Sequence, residues 1–338
     1  MRISFSEANA FRKCRRSWDL GSRNRQGWQQ IKVNTKLFLG TLVHECLDKF
    51  YSSGKTIDMQ VEFKKLFKES LVKIKNELKV DISQEDIQAF NEQEILGLEM
   101  LKNYVIWSEK IDKEQIAEIV STEKKIEVKL FKDLDHILVC RIDGIVKDKD
   151  GKYWILEHKT AKSVDTNLAL NEQPVLYCYL AEKILGVKIE GILYNTLLKS
   201  YPEAPNVLKN GTLSKSKSQN TTWELYQQKI KELKLNEEDY LEMKSELKTL
   251  DSYFDRQRIF KTQHEIKDIV QRYREICLDM AENPRIYPTP SRDCNWFCGF
   301  KEICVMMNDG LDYKFVLENL FKQEKNSEIV DEKVENEQ

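Results

Sequence analysis

The feature of this sequence that most constrains the fold is a change of hydrophobic period near residue 115. Before it, apolar residues recur at three- and four-residue spacing, which predicts amphipathic helices. After it, residues 116–131, 137–147 and 153–158 are rich in Val, Ile and aromatic residues, which predicts β-strands. Asp150-Gly151, between the last two segments, is typical of a hairpin turn. Together these patterns predict a mixed α/β core.

Further helices and one further strand complete the predicted order of elements. Before the strands, the spacing of apolar residues predicts helices at 6–18, 36–54, 60–78 and 84–110, with Ser6 near the first cap and Gly54 at the second stop. After the strands, we expect a helix at 168–185, a strand at 188–198, a polar loop at 206–221 and long charged helices at 222–282.

Two acids and a lysine stand on the two strands that the hairpin turn connects. Asp143 lies on the first strand, and Glu157 and Lys159 lie on the second. Because side chains alternate along a strand, Glu157 and Lys159 face one side while His158 faces the other, and antiparallel pairing brings Asp143 beside them. A lysine buried beside two carboxylates is costly unless the charge pattern has a use.

Cleavage of a phosphodiester requires a charge pattern of this kind. Hard divalent cations such as Mg²⁺ or Mn²⁺ bind carboxylate oxygens, so Asp143 and Glu157 are candidate metal ligands. The metal would polarise the scissile phosphate and lower the pKa of a bound water, and Lys159 would orient that water or balance the developing charge. The alternative is an ordinary surface salt bridge, and a single acid with Glu-x-Lys does not separate the two interpretations.

Three further residues accompany this group. His44 follows Gly40 by four positions on an otherwise apolar helix face, where a core histidine bonded to a carbonyl is the competing explanation. Gln173 and Tyr177 lie one helical turn apart, so both side chains can reach one site, although such a pair is also common on helix surfaces.

The cysteines fall into two groups. Eight cysteines in a chain without an apparent export signal predict reduced thiols or metal ligands rather than disulfides. Cys294, Cys298 and Cys304 form a C-x3-C-x5-C run, whose spacing is typical of metal ligands and leaves zinc and iron–sulfur equally open. Cys14 stands in the basic run 12–16, where a thiolate would be stabilised. The others are predicted to be small core residues: Cys46, Cys140, Cys178 and Cys277.

The charge of the chain is concentrated in one place. Lys and Arg number 54 against 56 Asp and Glu, a formal charge of −2, which argues against uniform coating by nucleic acid. Residues 1–36 nevertheless carry nine basic and two acidic residues, which suits phosphate binding, with a solvated helix face as the equal alternative. The candidate DNA contacts there are Arg12, Arg15 and Arg16, and the candidate base-stacking rings are Phe5, Phe11, Trp18, Trp28 and Trp296.

The order of the motifs resembles the RecB-like branch of the PD-(D/E)XK nuclease superfamily. The resemblance implies a restriction-endonuclease-like α/β fold: a mixed sheet core flanked by helices, a large helical portion and a C-terminal cysteine-cluster segment. It further implies that a metal is bound by side chains and one backbone carbonyl, that a lysine completes the catalytic centre, and that a Gln–Tyr pair orients the lysine and the DNA. By matching position, the resemblance assigns Mg²⁺ or Mn²⁺ binding to His44, Asp143, Glu157 and the backbone carbonyl of His158. It assigns the catalytic lysine to Lys159. It assigns the orienting pair to Gln173 and Tyr177. Ile142 stands where many members have proline.

Some members of this branch carry an iron–sulfur cluster, among them helicase–nuclease subunits, CRISPR-associated exonucleases and phage proteins. They have one cysteine before the histidine motif and three near the C-terminus. Cys14, Cys294, Cys298 and Cys304 match that layout, so the resemblance implies a [4Fe-4S] cluster. The first C-terminal pair is C-x3-C here, whereas many members have C-x2-C. We interpret the cluster as structural, closing the basic segment against the C-terminal segment.

On this interpretation the chain has five segments. They are a basic segment at 1–36, the nuclease core at 37–200, a helical insertion at 206–282, an iron–sulfur segment at 283–321 and an acidic disordered tail at 322–338. No apolar run is long enough for a membrane span, so we expect a protein of the cytoplasm, or of the host cytoplasm if phage-encoded.

The expected function is that of a metal-dependent DNA nuclease. We expect an exonuclease that prefers single strands or DNA ends and acts in recombination, repair or phage DNA metabolism. A helicase or a recombination or replication protein is the expected partner. The alternatives are a structure-specific flap endonuclease with the same chemistry and a non-catalytic DNA-binding subunit that retains the fold. The presence of all four catalytic positions favours an enzyme.

Overall fold

The computed structural model describes residues 1–31, 35–78, 83–129, 131, 136–282 and 284–324. It divides the chain into two compact units. Unit 1 consists of Met1–Val33, Lys125–Arg141 and His264–Gln338, and unit 2 consists of Asn34–Lys124 and Ile142–Gln263.

The chain alternates between helices and strands. The helices are α1 (Phe5–Lys13), α2 (Arg15–Gly21), α3 (Thr35–Ser52), α4 (Met59–Leu78), α5 (Gln84–Gln115), α6 (Glu172–Leu185), α7 (Trp223–Glu232), α8 (Gln263–Ala281), α9 (Lys301–Asn308) and α10 (Lys314–Leu320). The strands are β1 (Arg2–Ile3), β2 (Trp28–Gln30), β3 (Glu118–Val128), β4 (Ile137–Lys147), β5 (Tyr153–Ala161), β6 (Ile189–Leu198), β7 (Phe254–Phe260) and β8 (Phe321–Gln323). Within the described ranges, no helix is both long and apolar enough to cross a membrane.

Unit 2 is built on a mixed sheet. The strands β4, β5, β6 and β7 follow one another in that order, and β3 also pairs with β4. β4 and β5 are antiparallel, β5 and β6 are parallel, and β6 and β7 are antiparallel. α3 and α6 pack against β5, and α5 and α6 pack against β6. The predicted mixed α/β core, with strands at the four predicted places, is therefore confirmed.

One carboxylate holds the turn between β4 and β5. Asp148 accepts hydrogen bonds from the backbone N–H groups of Asp150 (3.0 Å) and Lys152 (2.9 Å) and from the indole N–H of Trp154 (2.9 Å). Gly151 adopts φ 77°, in the left-handed region that favours glycine. The predicted hairpin turn is confirmed, and Asp148 fixes the connection between the two strands that carry the candidate catalytic residues.

The prediction of long helices throughout 222–282 is wrong. Residues 254–260 form β7, which pairs with β6 at the end of the sheet, and 3₁₀ turns lie at Glu237–Ser245 and Leu250–Tyr253. β7 is rich in polar and charged residues, and one of them, Arg256, has a buried ionic partner. The segment predicted as a helical insertion therefore contributes a strand to the core sheet of unit 2.

Unit 1 joins segments that are far apart in sequence. β1 pairs in parallel with the first residues of β4, and β2 pairs antiparallel with β8. A hydrophobic cluster packs α2 against α9, α10 and β8 through Leu20, Ile303, Leu317 and Phe321. Because β8 includes residues 322 and 323, the prediction of a disordered tail from 322 is wrong there, and residues 325–338 lie outside the described residues.

The predicted first helix is two helices. Ser4, not Ser6, is the N-cap of α1, and its hydroxyl accepts a hydrogen bond from the N–H of Glu7 (3.1 Å). α1 ends at Lys13, and Cys14 is extended (φ −161°, ψ 111°) before α2 begins. The break places Cys14 at a helix junction.

We predict that Asp148→Ala lowers the free energy of unfolding by about 2 kcal/mol, because three donors lose their acceptor. Burial alone would raise the pKa of Asp148, but hydrogen bonds from Lys152, Trp154 and Asp150 hold that pKa below its ordinary value. The stabilisation is therefore present at neutral pH and is lost as pH falls below the ordinary aspartate range of about 3.9.

Urea unfolding of both proteins at several pH values measures this difference. The matched control is Asp150→Ala, an exposed acid in the same turn, which should change stability by no more than about 0.5 kcal/mol. Equal losses for the two variants would contradict the role given to Asp148.

Candidate active site

The two candidate metal-binding carboxylates lie on adjacent strands. Asp143 on β4 and Glu157 on β5 come immediately beyond the paired residues Gly144 and Leu156. Burial raises the pKa of Glu157 well above its ordinary value, the charge of Asp143 raises it further, and Lys159 opposes both effects. The three side chains thus share one electrostatic environment, as the alternation along the strands predicts.

Asp143 is held by hydrogen bonds on both carboxylate oxygens. The backbone N–H of His158 donates to Oδ2 (2.8 Å), and Nδ1 of His44 lies 3.3 Å from Oδ1. Burial would raise the pKa of Asp143, but His44 and the N–H of His158 outweigh it and hold that pKa below its ordinary value. His44 therefore lies beside Asp143, and Asp143 is ionised.

Glu157 has an unsatisfied oxygen. Its Oε2 is buried and has no hydrogen-bond partner. A buried carboxylate oxygen without a donor is costly unless a cation completes the site. In the part of the chain that the structure describes, no three His, Cys, Asp or Glu side chains already converge as a metal-holding group. The fit to Mg²⁺ or Mn²⁺ therefore rests on the donor types and on the unsatisfied oxygen of Glu157.

Lys159 differs from the expectation of a buried lysine, because it is exposed. Its neighbour His158 is buried, with 3% of its surface exposed, so the alternation between the two positions is as predicted. An exposed ammonium beside two carboxylates avoids the desolvation cost that burial would impose. Lys159 is thus available to a ligand that approaches Glu157 from solvent.

Gln173 and Tyr177 meet on α6, as their spacing predicts. Nε2 of Gln173 donates to the hydroxyl of Tyr177 (2.6 Å). The side chain of Asn171 caps the helix by accepting from the N–H of Gln173 (3.2 Å). The cap fixes the first turn of α6, on which Gln173 lies.

A buried polar network, which the sequence patterns did not predict, surrounds His158. Asn195 bonds the imidazole of His158, and Arg256 bonds Asn195 and forms an ion pair with Asp112 (2.5 Å). The side chains of Arg256 and Asp112 are 1% and 2% exposed. The signal in the sequence was Asn195 itself, an amide within the mostly apolar strand β6.

The four candidate cluster cysteines of unit 1 line one cavity of about 180 Å³. Each of three sulfurs has an N–H donor nearby: Thr289 N–H to Cys14 (3.4 Å), Ser291 N–H to Cys294 (3.4 Å) and the guanidinium of Arg16 to Cys304 (3.3 Å). The structure therefore brings Cys14 together with Cys294, Cys298 and Cys304.

The other four cysteines are buried thiols, as predicted. Cys46, Cys140, Cys178 and Cys277 are at most 6% exposed, and none of the eight cysteines forms a disulfide. Burial raises the pKa of Cys46 and of Cys277 to about 12. Thiols with such pKa values remain protonated and unreactive at neutral pH.

The candidate DNA-binding arginines Arg15 and Arg16 contact other residues of unit 1. Arg15 forms an ion pair with Asp279 and lies over the ring of Phe11 (4.7 Å). Arg16 donates to the side-chain oxygen of Asn308 (2.6 Å). Arg12 is exposed. Arg15 and Arg16 therefore have contacts that stabilise unit 1. Of the other basic residues in the segment 1–36, Lys32 and the side chain of Lys36 lie outside the described residues.

Two of the five predicted stacking rings are core residues. Phe11 and Trp18 are 3% and 1% exposed, so their prediction as base-stacking residues is wrong. Trp28 packs against the hydrophobic cluster of unit 1, and Phe5 is half-buried. Trp296 is 80% exposed, and it is the member of the set whose ring is free to stack.

The family model of the PD-(D/E)XK nuclease superfamily matches residues 2–305. A crystal structure of a protein from Eubacterium rectale, provisionally named an exonuclease, is 13% identical with a TM-score of 0.35, and the match covers 88% of this chain and 93% of that chain. This TM-score is too low for the likeness to bear on function. No curated protein matches the sequence.

We predict that Glu157→Gln raises the free energy of unfolding of the metal-free protein by about 1 kcal/mol, since it removes a buried charge that faces Asp143 and lacks a donor. Urea unfolding in EDTA measures the change. Glu109→Gln, at an exposed helical position, is the control and should be neutral. A loss of stability in Glu157→Gln alone would contradict this account of the site.

Proposed function

The chain belongs to the PD-(D/E)XK nuclease superfamily, and from that membership we propose that it hydrolyses DNA with a divalent cation, preferentially from ends or on single strands. The observation that carries the proposal is the buried, unsatisfied oxygen of Glu157, next to the ionised Asp143 and the exposed Lys159. Two acids and a cationic side chain arranged in this way suit a phosphodiester that approaches from solvent.

The residues that would hold the cation are His44, Asp143, Glu157 and the backbone carbonyl of His158. Imidazole, carboxylate and carbonyl donors suit Mg²⁺ and Mn²⁺. When bound, the cation supplies Lewis-acid stabilisation of charge on the scissile phosphate. The N–H of His158 holds the carboxylate of Asp143 by a 2.8 Å hydrogen bond.

Lys159 acts on the substrate in this proposal. Its ammonium, exposed beside Glu157, donates hydrogen bonds to the scissile phosphate and balances the negative charge that grows in the transition state. Gln173 and Tyr177, already joined to each other, orient the lysine and the DNA strand. Arg12 adds sequence-independent attraction for the phosphate backbone.

Exonuclease and flap endonuclease activities share this chemistry, and the substrates separate them. The deciding experiment compares linear single strands labelled at the 5′ or 3′ end with covalently closed circular single strands, all in Mg²⁺. We expect mononucleotides or short products from one labelled end and intact circles. Cutting of the circle would rule out a strict exonuclease, and no cleavage of any substrate would favour the non-catalytic DNA-binding subunit.

We also propose that Cys14, Cys294, Cys298 and Cys304 hold a [4Fe-4S] cluster, as in the iron–sulfur members of the RecB-like branch. Their common cavity of about 180 Å³ and the donors to three of the sulfurs support this. The cluster would tie Cys14 to the C-terminal segment and so stabilise unit 1.

The biological setting follows from the resemblance alone. We propose a role in recombination, repair or phage DNA metabolism, beside a helicase or a recombination or replication protein, in the cytoplasm of the cell or of the phage host. DNA, as single strands or ends, is the proposed macromolecular ligand.

We predict that Lys159→Ala slows DNA cleavage on the order of 10³-fold while DNA affinity changes little, because the lysine acts mainly on transition-state charge. Asp143→Ala should abolish cleavage, and EDTA should do the same to the wild-type protein. Cleavage rates and fluorescence-anisotropy titrations with a single-stranded oligonucleotide measure both properties. Lys162→Ala, at an exposed lysine just beyond β5, is the control. Cleavage by Lys159→Ala at the wild-type rate would refute the site assignment.

We predict that Cys14→Ser purifies with substantially less iron and acid-labile sulfide than the wild-type protein and with a lower melting temperature. Metal analysis, visible absorbance and thermal unfolding after anaerobic purification measure these effects. The control is Cys140→Ser, at a buried cysteine outside the cavity, which should keep the full iron content. Zinc in place of iron, or an unchanged cluster in Cys14→Ser, would contradict the proposal.

A further inference from the structure

Three residues form a row across adjacent strands of the sheet in unit 2. His158 on β5 is in register with Asn195 on β6, and Asn195 is in register with Arg256 on β7. Nδ2 of Asn195 lies 3.2 Å from Nδ1 of His158, and Nε of Arg256 lies 2.5 Å from Oδ1 of Asn195. His158 and Asn195 are 3% and 0% exposed. The row is thus a continuous hydrogen-bonded chain shielded from water.

The far end of the row is fixed by a buried ion pair. Nη2 of Arg256 donates to Asp112 (2.5 Å), and Asp112 also accepts from the hydroxyl of Tyr51 (2.8 Å) and from Lys55 (2.6 Å). The hydroxyl of Tyr51 lies 2.8 Å from that of Tyr104. A buried ion pair whose acid is bonded by three donors holds its members in one geometry.

The fixed end determines the direction of every bond in the row. A guanidinium only donates, so the side-chain oxygen of Asn195 must face Arg256. The amide nitrogen of Asn195 then faces His158, and Nδ1 of His158 must accept. The proton of the neutral imidazole is therefore on Nε2.

The near end of the row is the candidate metal site. The backbone N–H of His158 donates to Asp143 at 2.8 Å, so the position of His158 sets the position of that carboxylate. The ring of His158 is also stacked on the ring of Tyr51, with 5.5 Å between centroids. The amide of Asn195 is the link between the ion pair and this residue.

We propose that Asn195 is a positioning residue for the metal site: it holds the imidazole of His158, and through the backbone of His158 it holds Asp143. This inference rests on the proposed function only where it concerns metal binding. The direction of the hydrogen bonds in the row stands independently of that function.

The test compares two substitutions at one position. Asn195→Ala removes the link and should weaken Mn²⁺ binding about tenfold, the lower end of the effect expected for outer-shell partners of metal ligands. Asn195→Asp keeps the shape and the bond to Arg256, and His158 can restore the link by carrying its proton on Nδ1. We therefore expect Asn195→Asp to bind Mn²⁺ close to the wild-type affinity. Electron paramagnetic resonance of free Mn²⁺ measures the affinity without any cleavage reaction.

The matched control is Asn220→Asp. Asn220 also bonds through both ends of its amide, to the carbonyl of Tyr201 (2.8 Å) and to Lys248 (2.9 Å), in another part of unit 2. This control should leave Mn²⁺ affinity unchanged even if it lowers the melting temperature. Wild-type affinity in Asn195→Ala, or equal losses in Asn195→Ala and Asn195→Asp, would overturn the proposal.

A spectroscopic measurement tests the row without relying on a truncated variant. The chain has four histidines, so ¹⁵N-histidine labelling gives an assignable spectrum. We expect the Nε2–H tautomer of His158 in the wild-type protein and the Nδ1–H tautomer in Asn195→Asp. The Nδ1–H tautomer in the wild-type protein would overturn the proposed direction of the bonds. A wild-type protein that neither binds Mn²⁺ nor cleaves DNA, with the expected tautomers, would refute the proposed function and the metal-positioning role of Asn195, and only the direction of the hydrogen bonds would stand.

Discussion

The candidate site depends on keeping two mutually repelling carboxylates side by side in a half-buried position. Asp143 and Glu157 do not stabilise each other, because the negative charge of Asp143 raises the pKa of Glu157. Their positions are imposed from outside, by the pairing of β4 with β5 and by the hairpin that Asp148 closes. Strand pairing contributes the stability that the charges remove, which is the usual relation between a scaffold and an active site.

The two acids are restrained differently, and the difference follows their environments. Asp143 accepts from His158 and lies against His44, so it has little freedom to turn. Glu157 has one oxygen without a donor, so its remaining hydrogen-bonding capacity is open to a ligand. A site that combines one fixed and one unsatisfied acid is preorganised for a cation, while the exposed Lys159 adds the only positive charge of the three motif positions.

Local patterns predicted the parts of the site that are close in sequence. Strand alternation and the Asp150-Gly151 turn were enough to place Asp143, Glu157 and Lys159 together, since they lie within 17 residues of each other. The position of Arg256 could not be predicted in this way, because a charged residue is expected to be exposed to solvent. Its buried partner, Asp112, lies 144 residues earlier in the sequence. The same long-range pairing explains why β7 was predicted as helix. The exposure of Lys159 was also unpredictable, since alternation gives the face of a strand and not its depth.

The hydrophobic cluster of unit 1 constrains the order in which the two units can fold during synthesis. Leu20 packs with Phe321, so this core cannot close until nearly the whole described chain has left the ribosome. The sheet and helices of unit 2 lie between these segments in sequence and are synthesised before that point. During this interval Cys14 is apart from the other three cysteines of the cavity, and the proposed cluster, which would need all four thiols, could be inserted only after translation has passed Cys304.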